Sequence, residues 1–146
     1  MKQLIVVFSL MISSPILADE ILISNKNKTL TLSQGSVIKT YRVAVGRPSA
    51  QWSQSYLVSR KAVWPTWTPT ASQHKKKKLP KFVKGGPNNP LGARALYLGD
   101  SMYRIHGTNN PSSIGKAASN GCIRMLNSDV IDLYSRVSIG TKVTAR

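Results

Sequence analysis

Acidic side chains are scarce in this 146-residue chain: five Asp and Glu stand against 21 Lys and Arg, for a net charge of +16. Cysteine is scarcer still, because Cys122 stands alone and can form no intramolecular disulfide. Histidine occurs twice, at His74 and His106. After residue 18 no apolar run approaches the ~20 residues that a membrane-crossing helix needs. Internal repeats are absent too. No metal and no cofactor are expected. The surplus of positive charge suits polyanionic surroundings, whether nucleic acid, anionic lipid or an acidic wall polymer.

Residues 1–18 read as a secretory signal. Lys2 supplies the positive end, residues 4–12 the apolar run, and Ile16-Leu17-Ala18 the exit before Asp19-Glu20. Retention of this segment as an uncleaved anchor stays open as an alternative. Its removal would leave residues 19–146 as one domain with one core. That domain would carry 20 basic residues against five acids, a net charge of +15. Export excludes nucleic acid as the working partner and leaves anionic envelope polymers and membranes. A monomer is expected.

A lone cysteine in an exported protein is a buried bystander, half of an intermolecular disulfide, or a reactive thiol. Asn120 and Gly121 precede Cys122 and bring turn chemistry rather than core packing, which favours the reactive thiol. Upstream lies His106, with fifteen residues between the two. A thiol and an imidazole are the parts that a cysteine nucleophile needs, since a neighbouring base generates the thiolate. Gly107, Pro111, Gly115 and Gly121 punctuate the interval and let the chain leave one strand, loop and return beside it.

The rest of the chain reads as mainly β. Residues 20–45 alternate β-branched and polar positions around two turn clusters, which predicts three short antiparallel strands. Residues 51–63 predict a further strand pair. Pro65 and Pro69 keep the WPTWTPT stretch out of any central strand. Residues 72–92, with the lysine run 75–78, predict an irregular, solvated segment. Residues 95–98 and 102–105 bracket Gly99-Asp100-Ser101 as a hairpin that delivers His106 at a strand end. Only residues 127–137 predict a good helix, with Asn127 as N-cap, Asp129 in the first turn, and Val130, Ile131, Leu133, Tyr134 and Val137 as its apolar stripe. Residues 141–145 predict a closing strand.

Several groups near Cys122 suit acyl chemistry. Successive N–H groups of Asn120, Gly121 and Cys122 can point at a carbonyl oxygen and form an oxyanion hole. His106 can take the thiol proton and return it to a leaving amine. Arg124, two residues beyond Cys122, shares its face in an extended segment. Its guanidinium either grips a substrate carboxylate or ties the loop down through carbonyls, and both readings stay open. No carboxylate is placed to orient His106: Asp100 is expected across the hairpin from Arg104, while Asp129 and Asp132 belong to the helix. A backbone carbonyl can fill that part.

These residues resemble the L,D-transpeptidase catalytic domain family (YkuD-like), whose signature is HGT followed at this interval by SHGC-hydrophobic-R-M. The chain reads His106-Gly107-Thr108 and then Ser119-Asn120-Gly121-Cys122-Ile123-Arg124-Met125, with PTWTP, GPNNPLG and YRIHGTNNPSSIGKA upstream. The resemblance implies a β-sandwich or barrel of mixed sheets, one short helix after the cysteine, and a loop that lids the cleft. It implies Cys122 as acyl-accepting nucleophile, His106 as base, and the Gly107 carbonyl as its orienting group. Asn120, Gly121 and Ser119 would support the oxyanion, and Arg124, Trp67, Thr108 and Asn109 would contact substrate. The implied substrates are peptidoglycan stem peptides, attacked between the diamino acid and D-Ala, with transfer to an amine. Water as acceptor would make a carboxypeptidase with the same residues. A non-catalytic basic envelope-binding module is the alternative from another class. One departure stands out: Asn120 occupies the place of the signature's second histidine.

Overall fold

The computed structural model describes residues 17–146. The expected export signal falls, apart from Leu17 and Ala18, outside the described residues. Three antiparallel strands come first, as the sequence predicts: β1 (Glu20–Ser24), β2 (Thr29–Gln34) and β3 (Val37–Arg42). Alternation decides their faces. Ile21, Ile23, Leu30 and Leu32 are fully buried, while Ile38 of the outer strand stays exposed.

The chain continues through β4 (Val45–Gly46), β5 (Ser55–Val63), the short helix α1 (Ala71–Lys76), β6 (Arg94–Leu98) and β7 (Arg104–His106). There follow β8 (Ala117–Ser119), β9 (Ile123–Arg124), the helix α2 (Asn127–Arg136) and β10 (Lys142–Ala145). Eight strands form one mixed sheet in the order β3-β2-β1-β10-β5-β6-β7-β9. Its parallel pairs are β1 with β10 and β7 with β9. The sheet curls on itself, because Ala44, just past β3, bridges Arg124 of the far edge strand β9. The backbone seals that seam twice: Ala44 N–H donates to the Arg124 carbonyl (2.8 Å) and Arg124 N–H to that of Ala44 (3.0 Å). A separate parallel pair, β4 with β8, lies beside the seam. The architecture is the expected mainly β, mixed-sheet fold.

Three local expectations give way to tertiary contacts. Residues 51–63 hold one strand rather than a pair, since Trp52 leaves the sheet to pack in the interior, where it is 5% exposed. The lysine-rich segment is not wholly irregular, because α1 opens it. Thr70 and Gln73 form a reciprocal capping box in which Gln73 N–H reaches Thr70 Oγ1 (3.4 Å) and Thr70 N–H reaches Gln73 Oε1 (2.7 Å). In α2 the stripe is narrower than predicted, with Val130, Leu133 and Val137 buried, Tyr134 half-buried and Ile131 exposed.

Asn127 is not the N-cap of α2; Leu126 holds that position and Asn127 begins the helix. The Asn127 amide oxygen instead accepts from the backbone N–H of Ala93 (3.0 Å) and Thr108 (3.2 Å), joining two loops that meet under the cleft. Only glycine fits beside it, at Gly92 and Gly107, where an added Cβ would strike this same oxygen. Asn127→Ala is expected to orphan both N–H groups and lower stability by about 2–4 kcal/mol. Asn127→Asp, which keeps the acceptor, should lose much less, and thermal unfolding of the two variants checks this.

At its other end α2 is capped from the sheet. Lys61 of β5 donates to the carbonyls of Tyr134 (2.8 Å) and Val137 (2.6 Å), and its ammonium lies 4.0 Å from the Tyr134 ring centre. Asp132 does more than carry surface charge. It pairs with Lys39 (2.6 Å) and Arg136 (3.1 Å), and accepts from the Tyr41 hydroxyl (2.6 Å), which tethers α2 to β3.

Candidate active site

Parallel pairing of β7 with β9 organises the site. Ile105 lies opposite Ile123, and both are buried in the core. Alternation then turns their neighbours to the other face. His106 stands opposite Arg124, and one step back along the same register Arg104 stands opposite Cys122. The fifteen-residue excursion thus brings His106 and Cys122 onto one surface as diagonal corners of a block, with Arg104 and Arg124 at the other two. All four line a cleft of about 360 Å³, together with Ser119, Asn120, Trp67, Thr108 and Asn109. Gly107 and Gly121 sit behind that wall and shape it.

His106 is 5% exposed. Its Nδ1 lies 2.5 Å from the Gly107 carbonyl oxygen. A carbonyl only accepts, so Nδ1 carries the proton and Nε2 holds the lone pair of the neutral ring. Gly107 is held in turn by its own N–H on the Arg94 carbonyl (3.1 Å). Burial holds the imidazole pKa down at about 4, with Arg124 and Arg104 pushing the same way and the Gly107 and Leu91 carbonyls opposing. The Cys122 thiol is pushed up by burial, against the pull of the Arg104 N–H and of the Arg104 and Arg124 guanidinium groups. At neutral pH the resting pair is therefore a thiol beside a neutral imidazole.

A depressed histidine value has a thermodynamic consequence. As pH falls, the unfolded chain takes up a proton near 6.5, well before the folded one does near 4. Stability is complete above about pH 6.5 and drains away as pH drops towards about 4, by about 3 kcal/mol in all. Urea denaturation at pH 7 and pH 4.5 should show this loss, and His106→Gln should flatten it.

The turn that carries Cys122 is pinned from three sides. Ser119 Oγ donates to the Cys122 carbonyl (2.5 Å) and accepts from Gly121 N–H (3.0 Å). Trp52 Nε1 donates to the Gly121 carbonyl (2.9 Å). The Trp52 ring stacks on Tyr103 at 5.3 Å, with Tyr56 edge-on to both. Gly121 adopts φ +123°, and a Cβ there would come within 2.5 Å of the Tyr103 ring and 3.1 Å of the Ala50 carbonyl oxygen. One expectation needs amendment: Gly121 N–H is engaged by Ser119 and so withdrawn from the set of oxyanion donors. The N–H groups of Asn120 and Cys122 are the two that the turn can still offer.

Above the cleft runs the segment between β5 and β6. Trp67 and Val83 exchange backbone hydrogen bonds (2.9 and 2.8 Å), closing it into a hairpin-like flap. Fully buried Asn89 staples the flap: its Nδ2 reaches the carbonyls of Pro65, Val83 and Lys84, each at 3.0 Å, and its Oδ1 accepts from Leu91 N–H (2.8 Å). Asn109 Nδ2 ties the flap to the loop after His106 through the Asn88 carbonyl (3.0 Å). Thr108 Oγ1 accepts from Asn110 N–H (2.9 Å). These two expected substrate contacts thus also hold loop shape. His74 is exposed and lies outside the cleft lining.

The sequence carries no sign of the parts that Trp52 and Asn89 play at the site, and it points Arg104 and Asn127 to other parts. For Asn127 and the capping box a local signal existed. For Trp52 and Asn89 none did, since their partners are distant in the chain. Arg104 was paired with Asp100 by the expected hairpin. The register sets Arg104 opposite Tyr97 instead, with its guanidinium 5.2 Å from that ring centre, and leaves Asp100 in the turn.

A curled mixed sheet with a lidded cleft, a glycine-turned cysteine and a histidine oriented by a carbonyl defines the class: this chain belongs to the YkuD L,D-transpeptidase catalytic domain family, whose model matches residues 18–144. Among curated relatives, the probable L,D-transpeptidase YbiS of Escherichia coli is 46% identical over 91 residues, covering 59% of this chain and 29% of that protein. The putative L,D-transpeptidase YkuD of Bacillus subtilis is 43% identical over 120 residues, covering 80% and 59%. The chain thus spans less than two thirds of either relative. The fold matches L,D-transpeptidase 3 of Mycobacterium tuberculosis with a TM-score of 0.69 at 18% identity, covering 88% of this chain and 61% of that one. A mutant L,D-transpeptidase of Enterococcus faecium matches at 0.71 and 16% identity, covering 90% and 50%. Among the described residues, no helix is long and apolar enough to cross a membrane.

Proposed function

We propose that this protein is an exported cysteine L,D-transpeptidase that acts on peptidoglycan stem peptides. The supporting observation is the β7–β9 block, which sets Cys122 and His106 on one face of a lidded cleft with the imidazole locked in its Nδ1–H form. In this reading His106 Nε2 takes the Cys122 proton as the sulfur attacks the carbonyl between the diamino acid and D-Ala. Backbone N–H groups of Asn120 and Cys122 bear the oxyanion. The imidazolium then protonates the leaving amine, and D-Ala departs from a thioester. An amine of a second stem attacks that thioester and restores the thiol. Burial keeps the base unprotonated at pH 7 and makes the thiolate more nucleophilic once formed, while it makes the proton transfer itself uphill, a cost that substrate binding and the oxyanion donors must offset. Asn120 leaves the scheme intact, since its contribution is a main-chain donor.

Mass spectrometry of the protein incubated with a disaccharide-tetrapeptide tests the reading. An acyl-enzyme followed by cross-linked dimer is expected. Tripeptide alone would mean that water is the acceptor, and no adduct would remove the enzymatic reading.

The lysine run 75–78 is read as an accessory contact to anionic wall polymer. Lys75 to Lys78 are all exposed, and none lines the cleft. Their replacement by Ser should leave turnover of a small soluble stem peptide near normal. Binding to isolated cell-wall sacculi should weaken, most clearly at low salt, where screening is least.

A further inference from the structure

Trp52 is held by its backbone and by its ring. Its carbonyl accepts from Asn25 Nδ2 (3.2 Å), its ring stacks on Tyr103 at 5.3 Å and 15°, and Tyr56 stands edge-on at 5.3 Å. The residue is 5% exposed. What this frame presents is one donor, Nε1–H, placed 2.9 Å from the Gly121 carbonyl oxygen.

The Gly121 carbonyl and the Cys122 N–H belong to one peptide unit. That unit is planar and trans, so its N–H points away from its oxygen. The indole that holds the oxygen therefore turns the Cys122 N–H away from Trp52, and this N–H donates to no group among the described residues. Ser119 Oγ fixes the peptide units on either side, through the Gly121 N–H and the Cys122 carbonyl. Among the described residues, Trp52 alone fixes the unit between them. A glycine with φ +123° leaves that unit's torsions soft, so its direction depends on the outside anchor. Accepting a hydrogen bond also polarises an amide and strengthens its own N–H as a donor. Resting on the functional reading above, we propose that Trp52 is a positioning residue for the oxyanion hole: its indole N–H aims and strengthens the Cys122 N–H that receives the charge of the attacked carbonyl.

The test compares two reactions at the single thiol of the chain. Acylation, by the disaccharide-tetrapeptide or by the small reagent S-phenyl thioacetate, passes through an oxyanion, whereas alkylation by iodoacetamide does not. Both are followed by mass spectrometry in the unsubstituted protein, in Trp52→Phe, and in a chain with 3-benzothienylalanine at position 52. The last exchanges the indole N–H for sulfur and keeps the shape of the ring, so it stays informative where Trp52→Phe loosens the fold. Acylation at saturating tetrapeptide should fall by about 10- to 100-fold, the range for a misaimed oxyanion donor, with the half-saturating concentration unchanged. Thioester acylation should fall in parallel, and alkylation should hold its rate. A common loss in acylation and alkylation would overturn the proposal, since Trp52 would then only shape the turn. Full acylation in the benzothienyl protein would overturn it too, leaving the indole as a satisfied core group. So would a rise in half-saturating concentration at an unchanged limiting rate. If the unsubstituted protein reacts with the thioester and not with the tetrapeptide, the functional reading falls, while the thioester arm still decides the part played by Trp52.

Discussion

Cys122→Ala is expected to abolish acyl-enzyme formation, and His106→Ala to slow it by about 10³-fold or more. Combining the two should cost little beyond the first, because residues that act as one unit lose their function together. The physical ground is the geometry of the block: His106 is buried, its Nδ1 proton is committed to Gly107, and it lines the same cleft as Cys122. Asn120 should behave differently. Asn120→Ala is expected to cost far less than His106→Ala, and Asn120→His to be tolerated, because a backbone N–H serves whatever the side chain. Single-turnover acylation monitored by mass spectrometry separates these cases. Wild-type rates in His106→Ala with loss of activity in Asn120→Ala would show that the base has been assigned wrongly.

Gly121→Ala should damage both stability and acylation. Its φ of +123° is open to glycine and closed to residues with a Cβ, at about 1–3 kcal/mol for the strain. The new methyl would also overlap the Tyr103 ring, which is backed by Trp52 and Tyr56 and has no easy retreat. Overpacking of this sort adds about 1–3 kcal/mol. Thermal unfolding should register a loss of about 2–5 kcal/mol, and acylation should fall with it, since the same turn aims the Cys122 sulfur. Adding Tyr103→Ala should recover part of the stability and little of the acylation, because the backbone strain persists. Full recovery of acylation in the double variant would mean that the clash alone, and not the turn, governs the nucleophile.

The pairing of Cys122 with His106 in one cleft, the three N-terminal strands, the hairpin into His106 and the helix after Cys122 were legible because each leaves a local mark. Alternation gives a strand its face, glycine and proline give a turn its place, and a lone cysteine after Asn-Gly gives its own chemistry away. The short helix α1 carried a mark as well, the Thr70-to-Gln73 capping box, hidden within a composition that reads as loop.

Other features belong to the tertiary structure alone. That Arg104 faces Cys122 depends on β7 lying beside β9 in parallel; alternation within each strand fixes which face its side chains take, but not which strand becomes its neighbour. That Trp52 supports the Gly121 carbonyl depends on a contact 69 residues long in sequence. Asn127 reads as a helix cap until two loops converge on it, and its oxygen goes to the donors that burial would otherwise leave unpaired. The Gly121 amide looks free until the Ser119 hydroxyl claims it. Sequence determined which side chains carry a thiol and an imidazole, since that chemistry resides in single residues. Folding decided which charges and donors surround them, because those depend on distances between segments that only the closed sheet brings together.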